Sequence, residues 1–165
     1  MRAIVVYESH WGNTATIARA IAEGIGPEAR ALSTSEAVGP AIAGADLIVA
    51  GAPILGFRLP TDGMLKSMAA NPGSGGVPPD FSHPSLRSWL AALPRGNVNV
   101  AAFETRIWWS PGSAARAILR AFELAGYSPI AKPQRFIVRG KTGPLRDGEV
   151  DRARAWGAEL AQSLK

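Results

Sequence analysis

The sequence predicts an α/β fold in which five parallel strands form a doubly wound sheet of order 2-1-3-4-5, with helices on both faces. Two observations predict it. Apolar, β-rich runs alternate with helical patterns along the chain, and the second and fifth runs, which would form the sheet edges, are short or half-polar. A strand–helix–strand alternation requires a parallel sheet with crossover helices. The length of 165 residues, 47% of them hydrophobic, predicts a single domain spanning 1–165.

The first half of the chain contains three predicted strands and two predicted helices. The strands lie at 2–7, 29–32 and 46–52 and the helices at 14–25 and 35–44. The first helix places apolar residues on one face and ends at Gly26-Pro27. The third strand ends before Pro53, because a proline cannot continue a central ladder.

The second half contains the remaining two strands. They are predicted at 97–104 and 134–140, with helices at 62–70, 85–93, 111–125 and 148–164. Ser110 is the predicted N-cap of the third of these helices and Pro111 its first residue. Polar and apolar residues alternate in the last strand, which is typical of an edge. Residues 71–79, rich in Gly and Pro, are predicted to be a flexible surface connection.

Composition restricts the chemistry. The chain has no cysteine, so disulfides, thiolate metal sites and cysteine nucleophiles are excluded, and any redox activity requires a bound cofactor. No metal site and no catalytic side chain is predicted. No run approaches the roughly 20 apolar residues of a membrane span, so we expect a soluble, cytoplasmic protein without a membrane partner. A high content of Ala, Arg, Gly and Pro favours a bacterial source.

The net charge of +5 comes entirely from the last third of the chain. Residues 1–115 contain eight basic and eight acidic side chains, whereas residues 116–165 contain ten basic and five acidic ones. A basic excess can indicate nucleic-acid binding. Here the basic residues are spread over several segments and are not clustered with aromatic residues, which favours a solvated basic surface.

The loop after the first strand carries the strongest functional signal. Ligands of such sheets bind beyond the carboxyl ends of the strands at the point where the winding reverses, and this loop reads Ser9-His10-Trp11-Gly12-Asn13-Thr14. Its hydroxyl and amide side chains can donate hydrogen bonds, its glycine allows close approach, and the following helix adds free N–H groups. The loop therefore predicts a phosphate site that needs no lysine or arginine.

Other readings of this loop are weaker. Capping of the helix would explain one such residue but not three polar residues and a glycine within six positions. Neither of the nucleotide-binding glycine motifs G-x-x-x-x-G-K-[ST] and G-x-G-x-x-G follows the first strand. The chain also lacks the G-x-S-x-G motif of α/β-hydrolases. The Gly73-Ser74-Gly75-Gly76 run has no preceding strand and is predicted to be only flexible.

Residues 5–21 resemble the phosphate signature of the flavodoxin family, which binds flavin mononucleotide (FMN). Two aliphatic residues and an aromatic one are followed by Ser9, Thr14, Ala18 and Ile21 at the family's offsets. The resemblance implies a flavodoxin-like three-layer sandwich of the short-chain type. It also implies that Ser9, His10, Trp11, Gly12, Asn13 and Thr14 contact the phosphate end of non-covalently bound FMN.

In that family the flavin ring lies between the loops after the third and fourth strands. The resemblance therefore assigns the ring to Ala52, Pro53, Ile54, Leu55 and Gly56 on one side and to Glu104, Thr105, Arg106 and Trp108 on the other. The second loop lacks the acidic, tyrosine-containing segment of typical flavodoxins. Trp108 or Trp109 is expected to cover one ring face and Ile54 or Leu55 the other. Gly56 is either the peptide whose carbonyl turns towards N5–H of the reduced flavin or a plain turn glycine.

Charge in these two loops predicts a redox property. Typical flavodoxins are acidic around the ring, which disfavours the anionic reduced flavin, whereas this chain has Arg58 and Arg106 there. An arginine within about 6 Å of the ring would stabilise the anion. We therefore expect a higher potential for the second reduction step than in acidic flavodoxins.

Three functions remain open from the sequence. The first is an FMN-dependent electron carrier that serves a redox partner protein or a small electron acceptor. The second is a small reductase that takes electrons from NAD(P)H and passes them to a quinone-type acceptor. The third is a binding or scaffold protein that has kept the fold and lost the flavin. A response-regulator receiver is disfavoured because Glu8 stands alone at the end of the first strand and no aspartate ends the third.

Overall fold

The computed structural model describes residues 1–71 and 78–165. The strands are β1 (Ala3–Tyr7), β2 (Ala29–Ser33), β3 (Leu47–Pro53), β4 (Asn99–Ile107), β5 (Ser128–Pro129) and β6 (Gln134–Val138). The helices are α1 (Asn13–Ile25), α2 (Gly39–Ile42), α3 (Asp62–Ala70), α4 (Leu86–Ala91), α5 (Ala114–Leu124) and α6 (Glu149–Ser163). Most of the Gly/Pro-rich connection predicted at 71–79, including Gly73-Ser74-Gly75-Gly76, lies outside the described residues.

The sheet is parallel and doubly wound, with the predicted order β2-β1-β3-β4-β5. Alternate residues of each central strand enter opposite cores. Ile4 and Val6 pack in the core beneath α4 and α5, whereas Val5 packs in the core beneath α1 and α6. Helices therefore cover both faces, which is why β1 and β3 are apolar throughout.

The fifth strand position is divided into two segments. β5 continues the edge beside Asn99 and Val100, and β6 resumes it beside residues 103–107, so both pair with β4. Four residues, 130–133, interrupt the ladder, and Pro133 among them has no N–H to donate. The sheet thus has six strand segments in five positions, where the sequence predicted one continuous edge strand.

Two helices begin later than predicted. Pro40 is tolerated only in the first turn of a helix, so α2 begins at Gly39 and not at 35. The residue that caps α5 is Ser113, whose hydroxyl accepts from the N–H of Arg116, and not Ser110. Gly112 has a φ of +86°, which is incompatible with a helix that starts at Pro111.

β4 begins two residues later and ends three residues later than predicted. It extends to Ile107, because β3 and β6 supply hydrogen-bonding partners on its two sides as far as Thr105 and Ile107 respectively. Glu104, Thr105 and Arg106 are therefore strand residues and not loop residues. Their side chains are consequently held by the sheet and not by a mobile loop.

Candidate functional site

A cleft lies at the carboxyl ends of β1, β3 and β4, where the winding of the sheet reverses. Most predicted site residues line it: Ser9, His10, Trp11, Asn13, Thr14, Pro53, Ile54, Leu55, Gly56, Thr105 and Arg106. Four do not line it: Gly12, Ala52, Glu104 and Trp108. The cleft encloses about 210 Å³, which is below the roughly 300 Å³ of the smallest usual ligand pockets. A larger ligand would therefore lie partly outside the protein.

The phosphate loop, residues 9–14, is closed by its own side chains. The Ser9 hydroxyl accepts hydrogen bonds from the backbone N–H groups of Gly12 (3.1 Å) and Ala15 (3.2 Å). The Thr14 hydroxyl pairs with that of Thr105 at 2.7 Å, which ties the loop to β4. Each arrangement leaves a hydroxyl hydrogen for a ligand, because Ser9 only accepts and only one of the two threonines donates to the other.

The loop also presents backbone donors. Within the described part of the chain, the N–H groups of His10, Asn13 and Thr14 donate to no protein acceptor. Gly12 has a φ of +88° and turns the chain into α1, whose N-terminus carries a partial positive charge. Unpaired N–H groups at a helix N-terminus beside two hydroxyls form an arrangement that binds a phosphate dianion.

A buried polar cluster supports this loop from below. His10 Nε2 lies 2.7 Å from Glu8 Oε2, and His10 Nδ1 lies 2.8 Å from the carbonyl oxygen of Asp80. His83 Nε2 accepts from the backbone N–H of Ser9 at 3.0 Å, and its ring stacks on that of His10. The other carboxylate oxygen of Glu8 accepts from the N–H of Leu86 at 2.7 Å.

The hydrogen bonds favour different protonation states in the two histidines. Both ring nitrogens of His10 lie within hydrogen-bonding distance of oxygen atoms, so the protonated ring could donate from both. Burial alone would lower the pKa of His10, but its hydrogen bonds to Glu8 and to the Asp80 carbonyl outweigh this and raise it. Burial and the neighbouring charge of His10 lower the pKa of His83, in agreement with its role as an acceptor. A buried His10–Glu8 pair therefore lies directly behind the phosphate loop.

The loops after β3 and β4, here called the ring loops, contact each other through a glycine. A Cβ at Gly112 would stand 1.9 Å from the carbonyl oxygen of Phe57, and Gly112 also has a left-handed φ. Gly56 and Phe57 have φ values of +56° and +65°, with Leu55 and Arg58 paired across them, as in a tight hairpin turn. A positive φ is uncommon for an aromatic residue, and this one carries an exposed ring at the rim of the cleft.

The two adjacent tryptophans differ in position. Trp109 lines the cleft and is 59% exposed, whereas Trp108 does not line it and is 72% exposed. On the other side, Leu55 is buried and Ile54 packs partly against the core. The geometry therefore favours Trp109 over Trp108 as an aromatic contact for a planar ligand.

Glu104 and Arg106 form a buried ion pair. Arg106 Nη1 lies 3.0 Å from Glu104 Oε2 and also donates to the carbonyl of Gly112 at 2.9 Å. The second oxygen of Glu104 accepts from Ser113 and from the N–H of Ala115 at the start of α5. Glu104 therefore has a structural position behind the ring loop, while Arg106 reaches the cleft.

The loop after β6 contributes residues that sequence reasoning missed. Val138 and Lys141 line the cleft, and Lys141 Nζ lies 5.7 Å above the ring of Trp11. The Asn13 amide donates to the carbonyl of Thr142 at 3.1 Å. The signal was available, because parallel strands all end at the same sheet edge, so the loop after the fifth strand position also reaches this edge.

The described residues contain neither a membrane-spanning helix nor a cluster of metal ligands. No helix in the described ranges is both long and apolar enough to cross a lipid bilayer. In the same residues, no group of three or more His, Asp or Glu side chains is placed to hold a metal ion.

Comparison with known proteins identifies the fold. No family model matches the chain, and no curated protein matches it in sequence. Its structure is similar to a flavodoxin from the domain Archaea, with 22% identity and a TM-score of 0.70 over 99% of both chains. It is also similar to oxidised Flavodoxin 1 from Bacillus cereus, with 19% identity and a TM-score of 0.70 over all of both chains.

A third similar structure is the flavodoxin, WrbA-like protein from Agrobacterium tumefaciens, with 19% identity and a TM-score of 0.60. It covers 98% of this chain and 95% of that one. Together these similarities show that the chain has the flavodoxin-like fold over its whole length.

Proposed function

We propose that this chain binds FMN non-covalently in the cleft and uses it to transfer electrons. The observation that carries the proposal is the phosphate loop. Unpaired N–H groups and two hydroxyls converge there, at the switch point of a flavodoxin-like sheet. Fold alone does not establish function, and the donors of this loop are what favour a phosphate-bearing ligand.

The phosphate end of FMN would be held by the phosphate loop. The backbone N–H groups of His10, Asn13 and Thr14 and the hydroxyls of Ser9 and Thr14 would donate to its oxygens. Lys141 would supply positive charge nearby. Charge-assisted hydrogen bonds of this kind are stronger than neutral ones, so most of the affinity is expected to come from this end.

The flavin ring would lie between the two ring loops. Trp109 and Phe57 offer aromatic surface, and Ile54 and Leu55 offer aliphatic surface, which suits the apolar faces of a planar ring. The bound flavin would accept and donate one or two electrons. The chain's own contribution is to position the ring, to exclude water from its buried part and to place the charge of Arg106 beside it.

Binding of FMN can be tested by absorbance and by competition. The purified protein, stripped of any flavin, is titrated with FMN and with riboflavin, which has the same ring and no phosphate. We expect FMN to bind at least about tenfold more tightly, since charge-assisted hydrogen bonds contribute about 1.5–3 kcal/mol each. Equal affinity for the two flavins would contradict the role of the phosphate loop, and no binding of either would contradict the function.

A scaffold protein without flavin is the second candidate, and one observation favours it. The Ser9 hydroxyl turns onto the start of its own helix and occupies two N–H groups that would otherwise be open to a phosphate. If this capping is the loop's whole role, the Ser9→Ala variant will lose stability and the protein will bind no flavin. Under the flavin proposal, the same variant loses FMN affinity while riboflavin affinity stays unchanged.

Whether the protein is a carrier or a reductase depends on its reaction partners. A redox partner protein or a small electron acceptor would bind at the rim of the cleft, where Phe57, Trp108 and Trp109 are all exposed. A reductase would in addition oxidise NAD(P)H in the presence of a quinone-type acceptor. Steady-state oxidation of NAD(P)H by the FMN-loaded protein separates the two.

A further inference from the structure

A second groove, lined by basic residues, lies beside the cleft that is proposed to bind flavin. None of the roles described above uses it. It runs between the start of α5 and the edge segment β6, with a volume of about 810 Å³. Four basic side chains line it: Arg106, Arg116, Lys132 and Arg135. Arg106 also lines the cleft, so the two spaces share a wall.

The charge of this groove is largely uncompensated. Its one lining carboxylate, Glu104, is already engaged by Arg106, Ser113 and the N–H of Ala115. Arg116, Lys132 and Arg135 are exposed, and none of them forms an ion pair with a carboxylate of residues 1–71 or 78–165. Three unpaired cations around one concave surface raise the local concentration of anions.

Arg106 adds an independent observation. Its side chain is 93% buried, and its Nη1 group donates to Glu104 and Gly112, but its buried Nε–H has no partner in the described structure. A buried donor without an acceptor is destabilising. The Nη2 group likewise donates to no described residue, so the whole Nε–Nη2 edge is unused. This edge is the one that binds carboxylate or phosphate with two parallel hydrogen bonds.

We propose that this groove is a second anion site, which binds a phosphate-bearing small molecule with more than one anionic group. The site does not depend on flavin binding in the neighbouring cleft. The three rim cations bind the outer anionic groups, and the guanidinium edge of Arg106 receives the innermost oxygen after a small side-chain adjustment. If the cleft also binds a flavin, a dinucleotide whose diphosphate is held in this groove would lie next to the flavin ring.

The shape and the charge pattern favour a small molecule over a protein partner. The groove is concave, and its volume falls within the roughly 300–1,000 Å³ of small-molecule sites. Protein partners, by contrast, dock on surfaces of several hundred Å² with an apolar centre. The exposed apolar residues Phe57 and Trp109 line the flavin cleft and not this groove.

The site can be tested with inorganic pyrophosphate as the probe. Uniformly ¹⁵N-labelled protein is titrated with it, with and without saturating FMN, while backbone amides and the Nε–H of Arg106 are followed by NMR. We expect shifts at Arg116, Lys132, Arg135 and the Arg106 Nε–H in both states. The variant R116Q/K132Q/R135Q should bind about tenfold more weakly or worse, because the rim charges are lost.

The control variant R19Q/R30Q/R95Q removes the same number of exposed charges outside the groove, and we expect it to bind pyrophosphate like the wild type. Shifts confined to residues 9–14, or an equal loss in both triple variants, would overturn the groove site. Tighter binding of a hexaglutamate peptide than of pyrophosphate to the same amides would replace the small molecule by an acidic protein segment. Failure of FMN to bind leaves this titration unaffected, so the two proposals fail separately.

Discussion

His10 donates from Nε2 to the carboxylate of Glu8 across 2.7 Å, and solvent reaches neither side chain. The two residues are separated by only one position in the chain, Ser9, whose own N–H is bound by His83. The first strand and the phosphate loop are therefore anchored to residues 80–86 by a buried, charged cluster. A buried ion pair of this kind is stabilising only when its remaining hydrogen bonds are satisfied, and here those of both partners are.

The pKa values of the two histidines should be shifted in opposite directions from that of an ordinary histidine. Hydrogen bonds to Glu8 and Asp80 outweigh burial and raise the pKa of His10, while burial and the His10 charge lower that of His83. NMR titration of the ring resonances from pH 5 to pH 9 should place one histidine above about 6.5 and the other below it. A His10 that titrates at or below 6.5 would contradict the raised pKa.

These shifts predict the pH dependence of stability. The stabilisation from the His10 imidazolium is fully present below about pH 6.5 and is lost as the pH rises through the raised pKa of the folded state. The stabilisation from neutral His83 is fully present above about pH 6.5 and is lost as the pH falls through its lowered pKa. We expect the wild type to lose stability as the pH rises through the raised pKa of His10, and we expect the H10Q variant to lack this loss. Chemical unfolding of both proteins across this range measures the difference.

Gly12 should be required for its backbone conformation. A Cβ there would meet nothing within 4 Å, so the cost of Gly12→Ala is the left-handed φ alone, about 1–2 kcal/mol of unfolding free energy. We also expect weaker FMN binding, because the turn presents the phosphate donors. Gly39→Ala is the matched control, since its Cβ is equally free and no left-handed φ is required at this helical position. Equal losses in both variants would argue against a special turn.

Trp109, and not Trp108, should contact the flavin. Replacing Trp109 by Leu is expected to weaken FMN binding about two- to tenfold, since aromatic pairs contribute about 0.5–1.5 kcal/mol beyond their buried area. The Trp108→Leu control should leave the affinity unchanged, because Trp108 lies outside the cleft. Fluorescence titration measures both, and a reversed order of effects would place the ring on the other tryptophan.

The arginines of the ring loops should raise the potential at which the flavin becomes anionic. Arg58→Gln, an exposed change, is expected to lower the second reduction potential, by about 60 mV for every 1.4 kcal/mol of lost anion stabilisation. Arg30→Gln, an exposed change in β2, serves as the control outside the ring loops. Spectroelectrochemical titration of the FMN-loaded variants gives the values. An unchanged potential in Arg58→Gln would contradict the expected contribution of Arg58.

Breaking the Glu104–Arg106 pair should be costly, and removing both partners less so. Arg106→Gln leaves a buried carboxylate without its cation and is expected to cost about 3–5 kcal/mol. The double variant E104Q/R106Q should recover part of this loss, because no unpaired charge remains. Denaturant unfolding of the two single variants and the double variant measures the coupling. Additive losses would show that the pair does not act as a unit.

Much of this molecule could be read from local patterns. The strand order followed from the alternation of strands and helices. The first loop could be proposed as a phosphate site because the residues that suggest it are close together in the chain. Ser9, Gly12 and Thr14 lie within six residues of one another. Errors at the start of α5 and at the end of β4 arose because Gly112 packs on Phe57 and because Arg106 pairs with β6, contacts that are distant in sequence.

By itself, then, the sequence determined the layered fold and the position of the phosphate loop, since hydrophobic periodicity and turn residues act over a few positions. Tertiary structure alone decided which tryptophan faces the cleft, brought Lys141 beside Trp11 and enclosed His10 between Glu8 and Asp80. It also gathered Arg106, Arg116, Lys132 and Arg135 around one groove. The physical reason is that burial, ion pairing and the pKa of a side chain depend on neighbours in space, and parallel strands bring distant loops to one edge of the sheet.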